Sequence, residues 1–260
     1  LKTLPLAFTA LFCVHLTLAQ SFQSQEKEVT GLAQEGKFEE AIAKAEFFLM
    51  VSKNRVGFTD TMTAKYYYLA GSIYTKQGNF AAATPKFDSA LLILKPLLGE
   101  CHRETLEALR SAASCRATND RPDESEKQLL AALAYFDSPN KDCKDDRERL
   151  LLQYELANAY LGLGKFGPAA ALYEQYIQSF VHKNHEDSIL LAKLFRNYGM
   201  LRYREGKWSD AMNLLQKSEK IQLTLSGDMA VELAQTYNGM TVLYMTLADW
   251  PKAEVYSNKS

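Results

Sequence analysis

Gly36-Lys37-Phe38-Glu39-Glu40-Ala41 returns along the chain as Gly78-Asn79-Phe80-Ala81-Ala82-Ala83, Gly164-Lys165-Phe166-Gly167-Pro168-Ala169 and Gly206-Lys207-Trp208-Ser209-Asp210-Ala211. It recurs more loosely as Ala248-Asp249-Trp250-Pro251-Lys252-Ala253. A step of 42 from Gly78 reaches Asp120-Arg121-Pro122-Asp123-Glu124-Ser125, a worn copy, so the six starts are spaced 42, 42, 44, 42 and 42. Regular spacing between 20 and 50 residues marks a repeat architecture and outweighs local propensity.

Each position of the phrase has a physical task. The Gly ends one helix in the left-handed conformation. The aromatic two positions on plugs the angle between helices, and the Ala five positions on lets two helix backbones approach. Seven residues before the start stands a small residue (Gly71, Ala113, Ala157, Gly199), and three or four before it an aromatic (Tyr74, Tyr160, Tyr203, Tyr244). Nine after it come Phe87, Leu129, Tyr173 and Leu215. The spacings are helical on both sides, which predicts a helical hairpin per copy. A lone hairpin cannot bury its apolar stripe, so successive hairpins must stack.

Composition agrees. The chain has 260 residues and 47% hydrophobic content, enough to bury a core. Its 13 glycines and 7 prolines fall below the usual roughly 7% and 5%, against a turn-dense β fold. With 30 basic and 31 acidic residues the formal net charge is −1, which supplies no global basic field for nucleic acid or an anionic membrane.

Residues 1–19 read as a secretory signal: Lys2, an apolar stretch from Leu4 to Leu18, and Thr17-Leu18-Ala19 before Gln20. Fifteen apolar residues are short for a bilayer span. Cys13 lies within the apolar run behind Leu11 and Phe12, so a lipid anchor is not expected. The chain is therefore expected to be exported: periplasmic, secreted or at the cell surface. Beyond the signal remain Cys101, Cys115 and Cys143. Cys101 and Cys143 hold equivalent connector positions one repeat apart. Neighbouring helix axes lie about 10 Å apart, whereas a disulfide needs Cα atoms within about 7 Å. Free thiols are expected, a bridge requiring the longer 137–146 connector, with Pro139-Asn140, to fold back. Cys115, within a first helix, is expected to be buried.

The pattern resembles the tetratricopeptide repeat (TPR), and specifically the variant of about 42 residues in kinesin light chains. The resemblance covers Phe22 to the end, and Leu98-Gly99-Glu100-Cys101-His102 looks like that variant's connector. It implies a right-handed α-α superhelical solenoid of about six helical hairpins, turning near 36, 78, 120, 164, 206 and 248, the last repeat incomplete. One departure is Pro122 in place of the aromatic plug, with Asp120 expected to cap the helix that Pro122 opens. The third joint is expected to be the softest.

The resemblance also implies a peptide groove lined by the first helix of each pair, at positions 13, 10, 6, 3 and 2 residues before each turn. These positions hold Lys65 and Tyr68, Arg110, Tyr154 and Asn158, Lys193 and Arg196, and Asn238, with Asn197 alongside. Six basic residues occupy this face (Lys65, Lys76, Arg110, Lys193, Arg196, Arg204) against Glu107 alone, which predicts a preference for acidic partners. Asn158 with Asn197 is similar to the asparagines with which relatives grip a peptide backbone, an amide both donating and accepting. The clamp for C-terminal carboxylates pairs a Lys with such an Asn; Tyr154 stands in that place.

Chemistry is sparse. Gly162-Leu163-Gly164-Lys165-Phe166-Gly167 has the GxGxxG spelling, but a dinucleotide site needs a preceding strand, and this stretch overlays the repeat's turn. His182-Lys183-Asn184-His185-Glu186-Asp187 carries metal-type donors but lacks the four ligands of a structural zinc site. No HExxH, GxSxG or phosphate loop occurs. The expectation is a non-catalytic protein- or peptide-binding scaffold without cofactor or metal. The rival is the sensor arm of a longer effector, a caspase-like peptidase or signalling protein, whose output domain follows residue 260.

Overall fold

A computed structural model describes residues 22–119, 121–138, 143–182, 188–225 and 230–260. The described residues form twelve helices and no strand: α1 (22–34), α2 (Phe38–Val56), α3 (Thr61–Lys76), α4 (Phe80–Leu98), α5 (Arg103–Thr118), α6 (Pro122–Asp137), α7 (Asp146–Gly162), α8 (Phe166–His182), α9 (Ser188–Arg204), α10 (Trp208–Thr224), α11 (Ala230–Thr246) and α12 (Trp250–Ser257). Two compact units divide within α7, the first running through Arg149 and the second from Leu150. Among the described residues no helix is long and apolar enough to cross a membrane. Residues 1–21, with the secretory reading, lie outside the described residues, as do 183–187 of the histidine stretch.

The turns fall where the repeat places them. Gly36, Gly78, Gly164 and Gly206 have φ of 77°, 82°, 70° and 76°. At Gly78 its own N–H donates to Thr75 O (3.0 Å) and the next N–H donates to Tyr74 O (2.8 Å), the Schellman pattern that satisfies the last carbonyls of α3. Ala248 does the same at φ 57°, with Asp249 N–H donating to Tyr244 O at 3.0 Å. Gly162-to-Gly167 is this turn between α7 and α8, with no strand before it.

In the second and fifth hairpins the small residue meets the large one: Gly71 faces Phe87 and Gly199 faces Leu215. Phe87, Leu129, Tyr173 and Leu215 are all buried, as are Ala41, Ala83, Ala169 and Ala211 at the close-approach position. The aromatic plug is less uniform than expected. Phe38, Phe80 and Phe166 are half-buried, but Trp208 and Trp250 keep 44% and 61% of their surface exposed.

The third hairpin departs furthest. Its N-cap residue is Arg121, with no side-chain cap, rather than Asp120, which lies outside the described residues. The turn still keeps one Schellman bond, Arg121 N–H to Arg116 O at 2.9 Å. The expectation of free thiols is overturned: Cys101 and Cys143 are joined, with Cα atoms 5.0 Å apart. The axis-separation argument fails because both cysteines sit in connectors beyond the helix ends. α6 stops at Asp137, leaving residues 138–145 of connector to carry Cys143 towards the turn at Cys101. Cys115 is buried as expected, 3.4 Å from Thr75 Oγ1.

Candidate functional site

In unit 1 the first helices α1, α3 and α5 line a pocket of 370 Å³. Ala64, Leu69, Ile73 and Leu94 form an apolar floor, and Phe22 and Tyr68 contribute rings. Lys65 Nζ pairs with Glu104 at 3.3 Å, and the Tyr68 hydroxyl donates to Glu107 Oε1 at 3.0 Å. Burial, with the Glu107 charge beside it, pushes the Tyr68 phenol up to about 12. Arg110 pairs with the nearly buried Glu148 of α7 at 3.2 Å.

Unit 2 presents a different face. Asn197 Nδ2 donates to the Tyr154 hydroxyl and to Asn158 Oδ1, both at 2.9 Å. Asn158 Oδ1 also accepts from the Tyr173 hydroxyl at 2.6 Å, and its Nδ2 donates to Glu155 at 3.2 Å. Arg196 closes the network, Nε donating to Asn197 Oδ1 (3.3 Å) and Nη1 to Gln235 Oε1 (2.5 Å). Tyr154 and Tyr173 are buried, and burial raises both phenols well above their ordinary range. Burial likewise lowers the Arg196 guanidinium.

Both amides thus already hold hydrogen bonds inside the protein. Tyr154 is a packing residue of the same network. Asn238 is exposed on α11 and takes no part in it. Lys193 pairs with Glu232 at 3.1 Å, and Arg204 Nη1 donates to Leu161 O at 3.1 Å.

The expected basic lining is largely offset. Lys65, Arg110 and Lys193 each pair with a glutamate one copy further on, and those three, Glu104, Glu148 and Glu232, all stand 16 residues before a turn. The cations act as struts between successive first helices. Sequence reasoning missed the acids because the family-derived positions begin 13 residues before the turn; the period itself carried the signal. Among the described residues no group of three or more His, Cys, Asp or Glu side chains could hold a metal.

No protein-family profile and no curated protein matches the sequence. Solved structures do. A kinesin light chain with nearly identical TPR-like repeats from Podosopora anserina aligns with a TM-score of 0.62 at 19% identity, over 78% of this chain and 94% of that one. BtubC (BKLC) from P. vanneervenii aligns with 0.61 at 20% identity, over 85% and 89%. NprR in complex with its cognate peptide NprX aligns with 0.65 at 18% identity, over 91% of this chain and 65% of NprR. The fold is that of a TPR-like, all-α repeat protein.

Proposed function

We propose that the chain is a non-catalytic protein- or peptide-binding scaffold whose binding surface is the face of its first helices, with the unit 1 pocket as anchor. The observation that supports this most is the pocket itself: three successive first helices leave 370 Å³ open over an apolar floor and ring it with polar side chains. Such a concave site with an apolar base and a few placed polar groups suits a side chain of a bound segment. NprR, of similar fold, holds its cognate peptide NprX. The acidic preference expected from the groove's cations loses its support to Glu104, Glu148 and Glu232 and is not carried forward.

Export is part of the same proposal. The Lys2 to Ala19 pattern and a Cys101–Cys143 bridge both suit an oxidising compartment.

The test is selection of binders from a random peptide library. Peptides held by the native protein should be lost by Ser72→Arg, which fills the pocket, while its melting temperature stays within a few degrees. They should be kept by Lys193→Glu with Arg196→Glu in unit 2. Retention by the filled pocket would refute the assignment.

A further inference from the structure

Resting on the peptide-binding reading, the charges around the unit 1 pocket point to its occupant. We infer that it takes one apolar side chain of a partner segment carrying a Lys or Arg beside that anchor. Three carboxylates border the pocket, Glu26, Glu104 and Glu107, against Lys65 and Lys76. Lys65 is engaged with Glu104. Glu107 accepts from the neutral Tyr68 hydroxyl, and the exposed Glu26 carboxylate has no ion pair among the described residues.

The geometry separates the charges. Glu26 and Glu107 stand 10 and 13 residues before their turns, at the same level as Tyr68 and Lys65. Lys76 lies eleven residues further along α3, roughly 16 Å away at 1.5 Å per residue. The end of the pocket near the helix N-termini therefore carries two carboxylates, Glu26 and Glu107, that form no ion pair among the described residues. A Lys or Arg arriving there gains two carboxylates, whereas an acidic segment would have to break the Lys65–Glu104 pair to find a cation. Complementarity of this kind decides which segment binds more than how tightly.

Nine-residue blocked peptides with a central Leu or Phe flanked by Lys, Gln or Glu, titrated by fluorescence anisotropy, test the inference. Lys-flanked peptides should bind tightest and weaken in high salt. Glu26→Gln with Glu107→Gln, which keeps an acceptor for Tyr68, should cost them about fivefold and leave Gln-flanked peptides and the melting temperature unchanged. Tighter binding of Glu-flanked peptides would overturn the charge inference while leaving the scaffold reading intact. An undiminished Lys preference in the double variant would overturn it by placing the site elsewhere. Binding of no peptide class would overturn the scaffold reading with it.

Discussion

A methyl group placed on Gly71 of α3 would lie 2.9 Å from Cε1 of Phe87 on α4, closer than carbon atoms pack. The ring occupies the space the glycine leaves, as Leu215 does opposite Gly199. Ala113 and Leu129, both fully buried, hold the same two positions in the third copy, with a larger small residue and a smaller large one.

Gly71→Ala should therefore destabilise unit 1 by about 1–3 kcal/mol through overpacking. Combining it with Phe87→Leu recreates the Ala113–Leu129 pair and should recover part of that loss. Denaturant melts of the two single variants and the double give the coupling energy. Strict additivity would mean that the two residues do not share one space.

Ala248 tests the turn separately from packing. Its φ of 57° lies where the other turns place glycine, and a non-glycine residue there costs about 1 kcal/mol. Ala248→Gly should stabilise unit 2 by up to that amount. Gly206→Ala should cost about as much, since its added Cβ meets nothing within 4 Å and the penalty is purely conformational. A neutral result for both would show that the left-handed turn is not required.

These two positions also show why the fold was legible. The left-handed turn and the small-to-large contact each demand a particular residue type at a fixed offset, so they recur visibly. The site was less legible, because a side chain's partner depends on what the next helix presents. Nothing in the sequence around Asn158 announces that its carbonyl oxygen accepts from the Tyr173 hydroxyl of α8 and the Asn197 amide of α9. Lys193 reads as free charge until Glu232 of α11 arrives beside it. The Cys101–Cys143 bridge escaped for a related reason: helix spacing constrains helices, not the connectors beyond their ends.

That bridge encloses α5 and α6, a hairpin that buries two hydroxyls without a hydrogen bond. Ser125 and Thr105 are buried there with hydroxyls that find no partner among the described residues. The equivalent Thr63 donates to Gly57 O at 2.7 Å and meets Ser52 Oγ at 2.9 Å, where the third copy offers Leu94. Closing a loop of 42 residues removes chain entropy equivalent to about 4 kcal/mol. Reduction, or Cys101→Ser with Cys143→Ser, should cost unit 1 up to that amount. Hydrogen exchange should accelerate in α5 and α6 and stay unchanged in α9 and α10. The unreduced, denatured chain from residue 22 should titrate one thiol, Cys115; three thiols and an unaltered melt would show that the bridge does not form.

Alkaline pH should unfold the protein through its buried phenols. A phenol whose folded pKa is raised is held neutral by the fold, so its stabilisation is complete below the unfolded value near 10 and is lost as pH rises through the folded value. For Tyr68, pushed up to about 12, the loss amounts to about 3 kcal/mol and falls mainly between pH 10 and 12. Tyr154 and Tyr173, both buried and raised further, extend the loss in unit 2 to higher pH. Phenolate absorbance near 295 nm and helical dichroism, recorded on the same samples, should therefore change together above pH 10. Tyr154→Phe removes one phenol and should make the unit 2 decline shallower, because Asn197 keeps its bond to Asn158. Phenolates all forming near pH 10 in a fully helical protein would show that these tyrosines are open to water and that the unit 2 face is not closed.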